Sequence, residues 1–282
     1  MSFLSSGSPP GGQLPPAFSL SDAEFTRFQT LVQKLTGIHL TDVKKALVIS
    51  RLSSRVRVRD AQSFSGYYKL LSDPSESEEL QIAIDLITTN ETSFFREMGH
   101  FDFLREFIQG LRPIPFPFRV WSAASSSGEE AYSIAMVLAD LLGAAEWEVV
   151  GTDISTRVLE RARKGLYPME RSASIPGDYL RRFCMKGQGT FEGMFLMGKA
   201  LRSHTHFQHA NLCQALPELG KFDLVFLRNI LIYFQTEQKR IVVESILGKM
   251  KPHALLIVGH SESLSGVSNR IAAVRTTVYR AT

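Results

Sequence analysis

No run of eighteen or more apolar residues occurs in this sequence, so it offers no segment that would span a bilayer as a helix. The first sixteen residues, MSFLSSGSPPGGQLPP, have neither a basic start nor a continuous apolar block. A secretory signal is therefore not expected, and a cytoplasmic location is. Cysteine is scarce: Cys184 and Cys213 stand without CxxC or Cys/His spacing, which argues against a disulfide framework and against a zinc site, and no metal is expected. A GxGxG loop is also missing. Excess charge is small, 32 Lys and Arg against 28 Asp and Glu, and a net +4 permits an acidic partner without requiring nucleic acid. What is plentiful is hydrophobic residues, 44% of 282, enough to build one large domain or two modest ones.

Residues 1–17 are mostly Ser, Gly and Pro, and burial there cannot repay the entropy of ordering, so a flexible tail is expected. From Ser21 the pattern turns helical. Ser21 with Glu24 forms a capping box, Phe25, Phe28, Val32 and Leu35 recur at helical spacing, and Gly37 ends the helix. Three more helices are predicted: from Thr41 or Asp42 to about Arg59, from Ser63 or Ser65 to Leu71, and from Ser75 or Ser77 to Leu86. Residues 18–89 thus read as an all-helical domain. Beyond it FRVWSAA, WEVVGTDI, FDLVFLRN and ALLIVGH are short runs rich in Val, Ile and Phe, alternating with helical stretches at 129–142, 156–164 and 236–250. Such runs suit strands buried on both faces of a parallel sheet, giving an α/β doubly wound Rossmann-like domain over 90–282. Residues 187–207, with four glycines and short alternating runs, are expected to form a small antiparallel β insertion.

In that architecture ligands sit at the carboxyl ends of the strands. The first strand runs through SAASSSGEE into a helix, a turn of small residues that lets a ligand approach the backbone. Glu129 at the helix start would repel a phosphate and attract an ammonium or sulfonium group, although Glu129 and Glu130 would equally complement the helix dipole. The second strand ends in Asp153, the usual position of a partner for ribose hydroxyls, or simply an N-cap. Together these features favour an adenosine-containing ligand without a pyrophosphate, a description that S-adenosylmethionine meets. Arg228 and Asn229 end the strand FDLVFLRN, with Tyr233 just beyond, and Asn90, Thr92 and Arg96 cluster in TTNETSFFRE, which joins the two domains.

Five motifs in order, TTNETSFFRE, WSAASSSGEEAYSIA, GTDISTRVLERARKGLY, FDLVFLRNILIYF and GHSESL, resemble those of the CheR family of chemotaxis receptor glutamate methyltransferases. The resemblance runs along essentially the whole chain after the tail. It departs at Ala131, where proline often follows GEE, and in the uniform run Ser125–Ser127. It implies an S-adenosyl-L-methionine methyltransferase yielding S-adenosyl-L-homocysteine, whose cofactor site is lined by Asn90, Thr92, Arg96, Glu129, Asp153, Asn211, Leu212, Arg228 and Asn229. By that resemblance Glu129 would meet the methionyl amino end, Asp153 the ribose, and Asn211 with Leu212 the adenine. Arg96 and Tyr233 would face the transferred methyl group as the catalytic pair.

The implied partner is the cytoplasmic helical domain of a bacterial chemoreceptor, with a receptor C-terminal tail peptide docked on the β insertion. A monomer without membrane insertion or nucleic acid is expected. Lys44, Arg51, Arg55 and Arg59 fall on one stripe of the second helix, and six basic residues stand there against Asp42 alone. That stripe is the expected receptor-docking surface. A nucleic-acid methyltransferase is the first rival; many such enzymes carry an Asn/Asp-Pro-Pro-aromatic loop where this chain reads RNILIYF. A non-catalytic S-adenosylmethionine-binding scaffold is the second.

Overall fold

The computed structural model describes residues 18–282 apart from Arg112 and Pro115, so the expected tail over 1–17 lies outside the described residues. Helix α1 (Asp22–Thr36) opens on the full capping box, with Ser21 Oγ accepting from Glu24 N and Ser21 N donating to Glu24 Oε2. It closes at Gly37, where φ is 75° and an added Cβ would lie 2.3 Å from Cys213 Sγ. Glycine is needed there for both the left-handed turn and the close approach of the second domain. A single 3₁₀ turn (Asp42–Lys44) precedes α2 (Lys45–Val58), followed by α3 (Phe64–Leu71), capped by Ser63, and α4 (Ser77–Ile87). Phe28, Val48, Leu52, Val56, Phe64 and Tyr67 form the buried centre of this domain.

The stripe expected to dock a receptor faces inward for most of its length. Arg51 Nη1 donates to the carbonyls of Leu86, Ile87 and Thr88 at 3.1, 2.8 and 3.0 Å, capping the C-terminus of α4. Arg55 Nε donates to Glu79 Oε1 (2.9 Å), Arg59 Nη1 to Glu79 Oε2 (3.1 Å) and Arg59 Nη2 to Glu76 Oε1 (2.7 Å). Tyr67 also donates to Glu79, whose side chain is 1% exposed. The cause is α4, which presents a buried carboxylate to α2 and draws in the arginines that helical spacing had lined up. Of the four stripe residues, Lys44 alone is exposed.

The second domain begins with α5 (Gly99–Gly110), and its chain then alternates: β1 (Phe118–Ala123), α6 (Glu129–Leu142), β2 (Trp147–Asp153), α7 (Thr156–Lys164). An excursion follows, made of β3 (Leu166–Pro168), α8 (Gly177–Phe183), β4 (Cys184–Lys186), β5 (Met194–Met197) and α9 (Lys199–His204). The sheet resumes with β6 (Thr205–His209), β7 (Phe222–Leu227), α10 (Thr236–Leu247), β8 (Met250–Val258) and the hairpin β9 (Ile271–Arg275) and β10 (Val278–Ala281).

The seven-stranded order is β6-β2-β1-β7-β8-β10-β9, parallel through β8 and antiparallel in the hairpin. The chain starts at the centre with β1, moves outward to β6, then returns to β7 on the other side, so the crevice opens at the tips of β1 and β7. Successive residues of each central strand feed opposite cores: Val120, Leu224 and Phe226 pack towards α5 and α6, while Trp121, Val225 and Leu227 pack towards α10. Burial on both faces is why these strands are legible as continuous apolar runs.

The insertion differs from its expected bounds. Its three-stranded antiparallel sheet, in the order β3-β5-β4, begins at Leu166 and ends at Met197. Residues 205–207, expected within it, instead belong to the edge strand β6, paired in parallel with β2. THFQH is polar because an edge strand exposes one side, and Thr205 alone of its residues is buried. Among the described residues, no helix is long and apolar enough to cross a membrane.

Candidate functional site

One open cleft gathers the carboxyl tips of β1, β2 and β7, and the helical domain forms its far wall through Thr36, Ile38, His39 and Leu40. It opens to solvent between the two domains and is lined by residues of both. Of the sequence-predicted residues, Asn90, Thr92, Arg96, Asp153, Asn211, Leu212, Arg228, Asn229 and Tyr233 line it, as does Lys44. Arg51, Arg55, Arg59 and Glu129 do not.

The cleft is framed by strained turns. Five non-glycine residues with positive φ sit on the three loops around it: Phe95 (51°), Glu97 (59°), Ala124 (66°), Ser126 (49°) and Asn229 (58°). Each such backbone costs ~1–3 kcal/mol and persists where its surroundings over-determine it. Here the surroundings are carboxylates. Asp153 Oδ2 accepts from Ser126 N and Oδ1 from Ser155 N, both at 2.9 Å, tying the β1 turn to the β2 turn. Glu262 Oε2 accepts from Asn229 N (2.8 Å) and Gly259 N (2.7 Å), and its Oε1 from Leu231 N (2.7 Å), bracing the β7 turn. Glu97 accepts from Asn229 Nδ2 (3.1 Å) and Arg228 Nη2 (3.0 Å).

Arg228 lies at the centre. Its side chain is 1% exposed, it forms ion pairs with Glu97 and with Glu130 (2.9 Å), and its Nη2 also donates to the Arg96 carbonyl. Its Nε–H is buried without a partner, as is Ser125 Oγ in the β1 turn. Burial works against ionisation of Glu97, but hydrogen bonds from Asn229 and Arg228 outweigh it and hold its carboxyl at about 2. The balance at Asp153 runs the other way: burial pushes its carboxyl up to about 6 despite the backbone N–H groups it receives.

Glu129 is a correction. Its carboxylate is 1% exposed, accepts from Ser127 Oγ (2.7 Å) and pairs with Arg171 Nη1 (2.8 Å), behind the turn rather than in the cleft. Its neighbour Glu130 faces the cleft, bonded to Ser122 Oγ (2.7 Å) and Arg228. Asn211 lines the cleft, but its side chain bridges the domains: Nδ2 donates to the Leu35 carbonyl (2.6 Å) and Oδ1 accepts from Cys213 N. Arg96 is half-buried, with Nη1 on the Glu91 carbonyl, and Tyr233 is held by its backbone carbonyl accepting from His39 N.

Sequence reasoning missed Glu97, Glu130, Glu262 and Asp85. Glu97 and Glu262 lay inside the quoted motifs TTNETSFFRE and GHSESL, so that signal was available. Asp85 of α4 carried none: it caps α7 across the domain boundary, accepting from Thr156 N (3.1 Å), Thr156 Oγ1 (2.9 Å) and Arg157 N (3.2 Å). The turn after β2 is thereby clamped between Asp153 and a carboxylate of the other domain.

Two family descriptions match the chain, "CheR methyltransferase, all-alpha domain" over residues 23–88 and "CheR methyltransferase, SAM binding domain" over residues 90–280. Similar proteins include the chemotaxis protein methyltransferase of Escherichia coli (strain K12), 39% identical over 95% of this chain and 93% of that protein. That of Salmonella typhimurium is 37% identical over 95% and 93%. Chemotaxis protein methyltransferase 2 of Pseudomonas aeruginosa is 37% identical over 93% and 94%.

Proposed function

The chain belongs to the CheR family of S-adenosylmethionine-dependent chemotaxis methyltransferases, and from that membership we propose that it methylates glutamate side chains on the cytoplasmic helical domain of a chemoreceptor. The observation that carries this reading is one cleft in which the buried Asp153 carboxylate, the Arg228 cluster and the pair Arg96 and Tyr233 converge.

The residues present fit the cofactor. Asp153 retains lone pairs beside its two N–H bonds and would accept from ribose hydroxyls. The unpartnered Nε–H of Arg228 suits the methionyl carboxylate, and Glu130, the carboxylate that faces the cleft, suits the amino group. The adenine would lie along Ala210 to Leu212. When bound, the sulfonium supplies an activated methyl carbon whose bond to sulfur breaks as the acceptor oxygen attacks, the electron pair staying on sulfur.

The acceptor needs no general base, because a glutamate with a pKa near 4.3 is already ionised at neutral pH. Arg96 and Tyr233 would hold its oxygens in line and exclude water. They must not grip it too tightly, because the charge they stabilise disappears in the ester. Lys44, exposed at the mouth, would draw in an acidic helix. We further place a receptor tail peptide against β4, an edge strand of the small sheet, with Met185 and Phe191 exposed beside it.

Incubation with labelled cofactor and either receptor fragments or RNA tests the reading: base-labile label on receptor glutamate supports it. Label on RNA favours the nucleic-acid alternative, and cofactor binding without any transfer the scaffold. Arg96→Ala should lower turnover by on the order of 10²-fold. Tyr233→Phe should lower it less, both with little change in receptor pull-down. Loss of pull-down with normal turnover on a short soluble substrate would move these two residues to docking.

Asp153 adds a pH signature. Its folded-state pKa is raised from 3.8 to about 6, so the stability tied to its protonated form is complete below about pH 4 and is lost as pH rises through 6. The ionised form is the better acceptor, so cofactor affinity should rise between pH 5 and 7 while unliganded stability falls. Calorimetric titration at pH 5, 6 and 7 checks this, and Asp153→Asn should flatten the profile; a wild-type profile already flat would remove Asp153 from the ribose.

A further inference from the structure

Beside the cleft, the start of α5 meets the loop after β8. His100 is 4% exposed and its Nε2 lies 2.8 Å from Thr277 Oγ1. Thr277 Oγ1 also lies 2.6 Å from the Thr276 carbonyl, and with its proton donated there it accepts from His100, a pairing that assigns the ring proton to Nε2. His100 Nδ1 is therefore a bare lone pair. It is buried without a hydrogen-bond partner and faces Glu97 Oε2 at 3.4 Å, an acceptor opposite an acceptor. A second ring proton would resolve the clash.

A cation would resolve it as well. Two ligands on one tetrahedral zinc-type ion, with bonds of about 2.0–2.1 Å, stand about 3.3–3.5 Å apart, the separation found between Nδ1 and Oε2. The exposed imidazole of His260 supplies a third donor: the three ligand atoms lie within 4.8 Å of one another, and the two rings stand edge to face with centroids 4.8 Å apart. The local charge favours a cation, since the carboxylates of Glu97 and Glu130 flank the single guanidinium of Arg228. The Nε2–H bond to Thr277 is the outer contact that metal-binding imidazoles usually make.

We propose that His100 Nδ1, Glu97 Oε2 and the His260 imidazole form a site for a divalent zinc-type metal ion, with water completing the coordination. The expectation of no metal rested on cysteine spacing and could not see His260, which arrives from the far end of the chain. Because Glu97 also holds Arg228 and Asn229, the ion would act on the cleft through that one carboxylate.

The test uses the full chain, without an affinity tag, titrated with Zn²⁺ by calorimetry and with Co²⁺ by visible absorption. The wild type should bind one ion with the intense absorption of low-coordinate cobalt. His260→Ala, a change at an exposed side chain, should weaken Zn²⁺ binding at least tenfold and abolish that absorption, while S-adenosylhomocysteine binding verifies its fold. If His260→Ala binds Zn²⁺ as the wild type does, the ion sits elsewhere, for example among His204, His206 and His209, and the proposal fails. It fails equally if the wild type shows no saturable binding.

Discussion

Arg55→Glu is expected to destabilise the helical domain, rather than to weaken receptor docking alone. The substitution sets a second carboxylate against Glu79, which is buried and bonded to Arg55, Arg59 and Tyr67. Breaking a buried ion pair by removing one partner costs ~3–5 kcal/mol. Arg55 is partly exposed and Arg59 remains, so the lower end, about 3 kcal/mol, is expected here. At ~2–4 °C per kcal/mol for a chain of this size, the melting midpoint should fall by roughly 6–12 °C. Cofactor affinity should fall with it, because this domain walls the cleft.

Acid titration gives an independent check on the same cluster. Burial opposes the Glu79 charge, but Arg55, Tyr67 and Arg59 overcome that and hold its carboxyl at about 2 against an ordinary 4.5. The stability this brings is present above about pH 4.5 and is lost as pH falls through 2. In Arg55→Glu the acid-dependent loss should begin at higher pH. Circular dichroism melts across pH 3–7 measure both effects. A variant that melts like the wild type and binds cofactor normally, yet fails on intact receptor in a salt-sensitive way, would return Arg55 to the docking surface.

That stripe also marks the limit of what the sequence discloses. Helical spacing placed Arg51, Arg55 and Arg59 on one face of α2, which is correct, but what a face meets is a long-range fact. Glu79 lies twenty or more residues away, in a different helix. The same limit explains Glu129 and Glu130: they are adjacent, about 100° apart around α6, and no local pattern says which one faces the ligand. The strands β1, β2, β7 and β8 were legible because parallel strands buried on both faces leave an uninterrupted apolar run. The edge strand β6 leaves none, and its glycine-rich surroundings took it into the insertion. The cleft residues were legible through motifs at strand tips. The carboxylates that hold them, Glu97 and Glu262, sat in those same motifs without a role until the loops were seen to converge.

Removal of Arg228 should have the larger effect on the cofactor site. Its guanidinium separates Glu97 from Glu130, so Arg228→Met leaves two carboxylates facing each other across the space it filled. The apo protein should lose ~3–5 kcal/mol, and S-adenosylhomocysteine affinity should fall at least 10²-fold, because the buried donor proposed for the methionyl carboxylate is gone. Glu97 should respond visibly. Held at about 2 in the wild type, its carboxyl contributes stability that is present above about pH 4.5 and lost as pH falls through 2. Without the guanidinium, burial dominates and the carboxyl moves upward, so the variant should gain stability on acidification from pH 7 to 5. Arg228→Lys separates charge from geometry. A lysine restores one positive charge but cannot fork between Glu97, Glu130 and the Arg96 carbonyl while keeping a further N–H for a ligand. It should recover much of the melting temperature and little of the affinity. Melting curves and calorimetric titration with S-adenosylhomocysteine on the three proteins give the answer, and a lysine variant that binds as tightly as the wild type would show that Arg228 serves the cleft as a counter-charge alone.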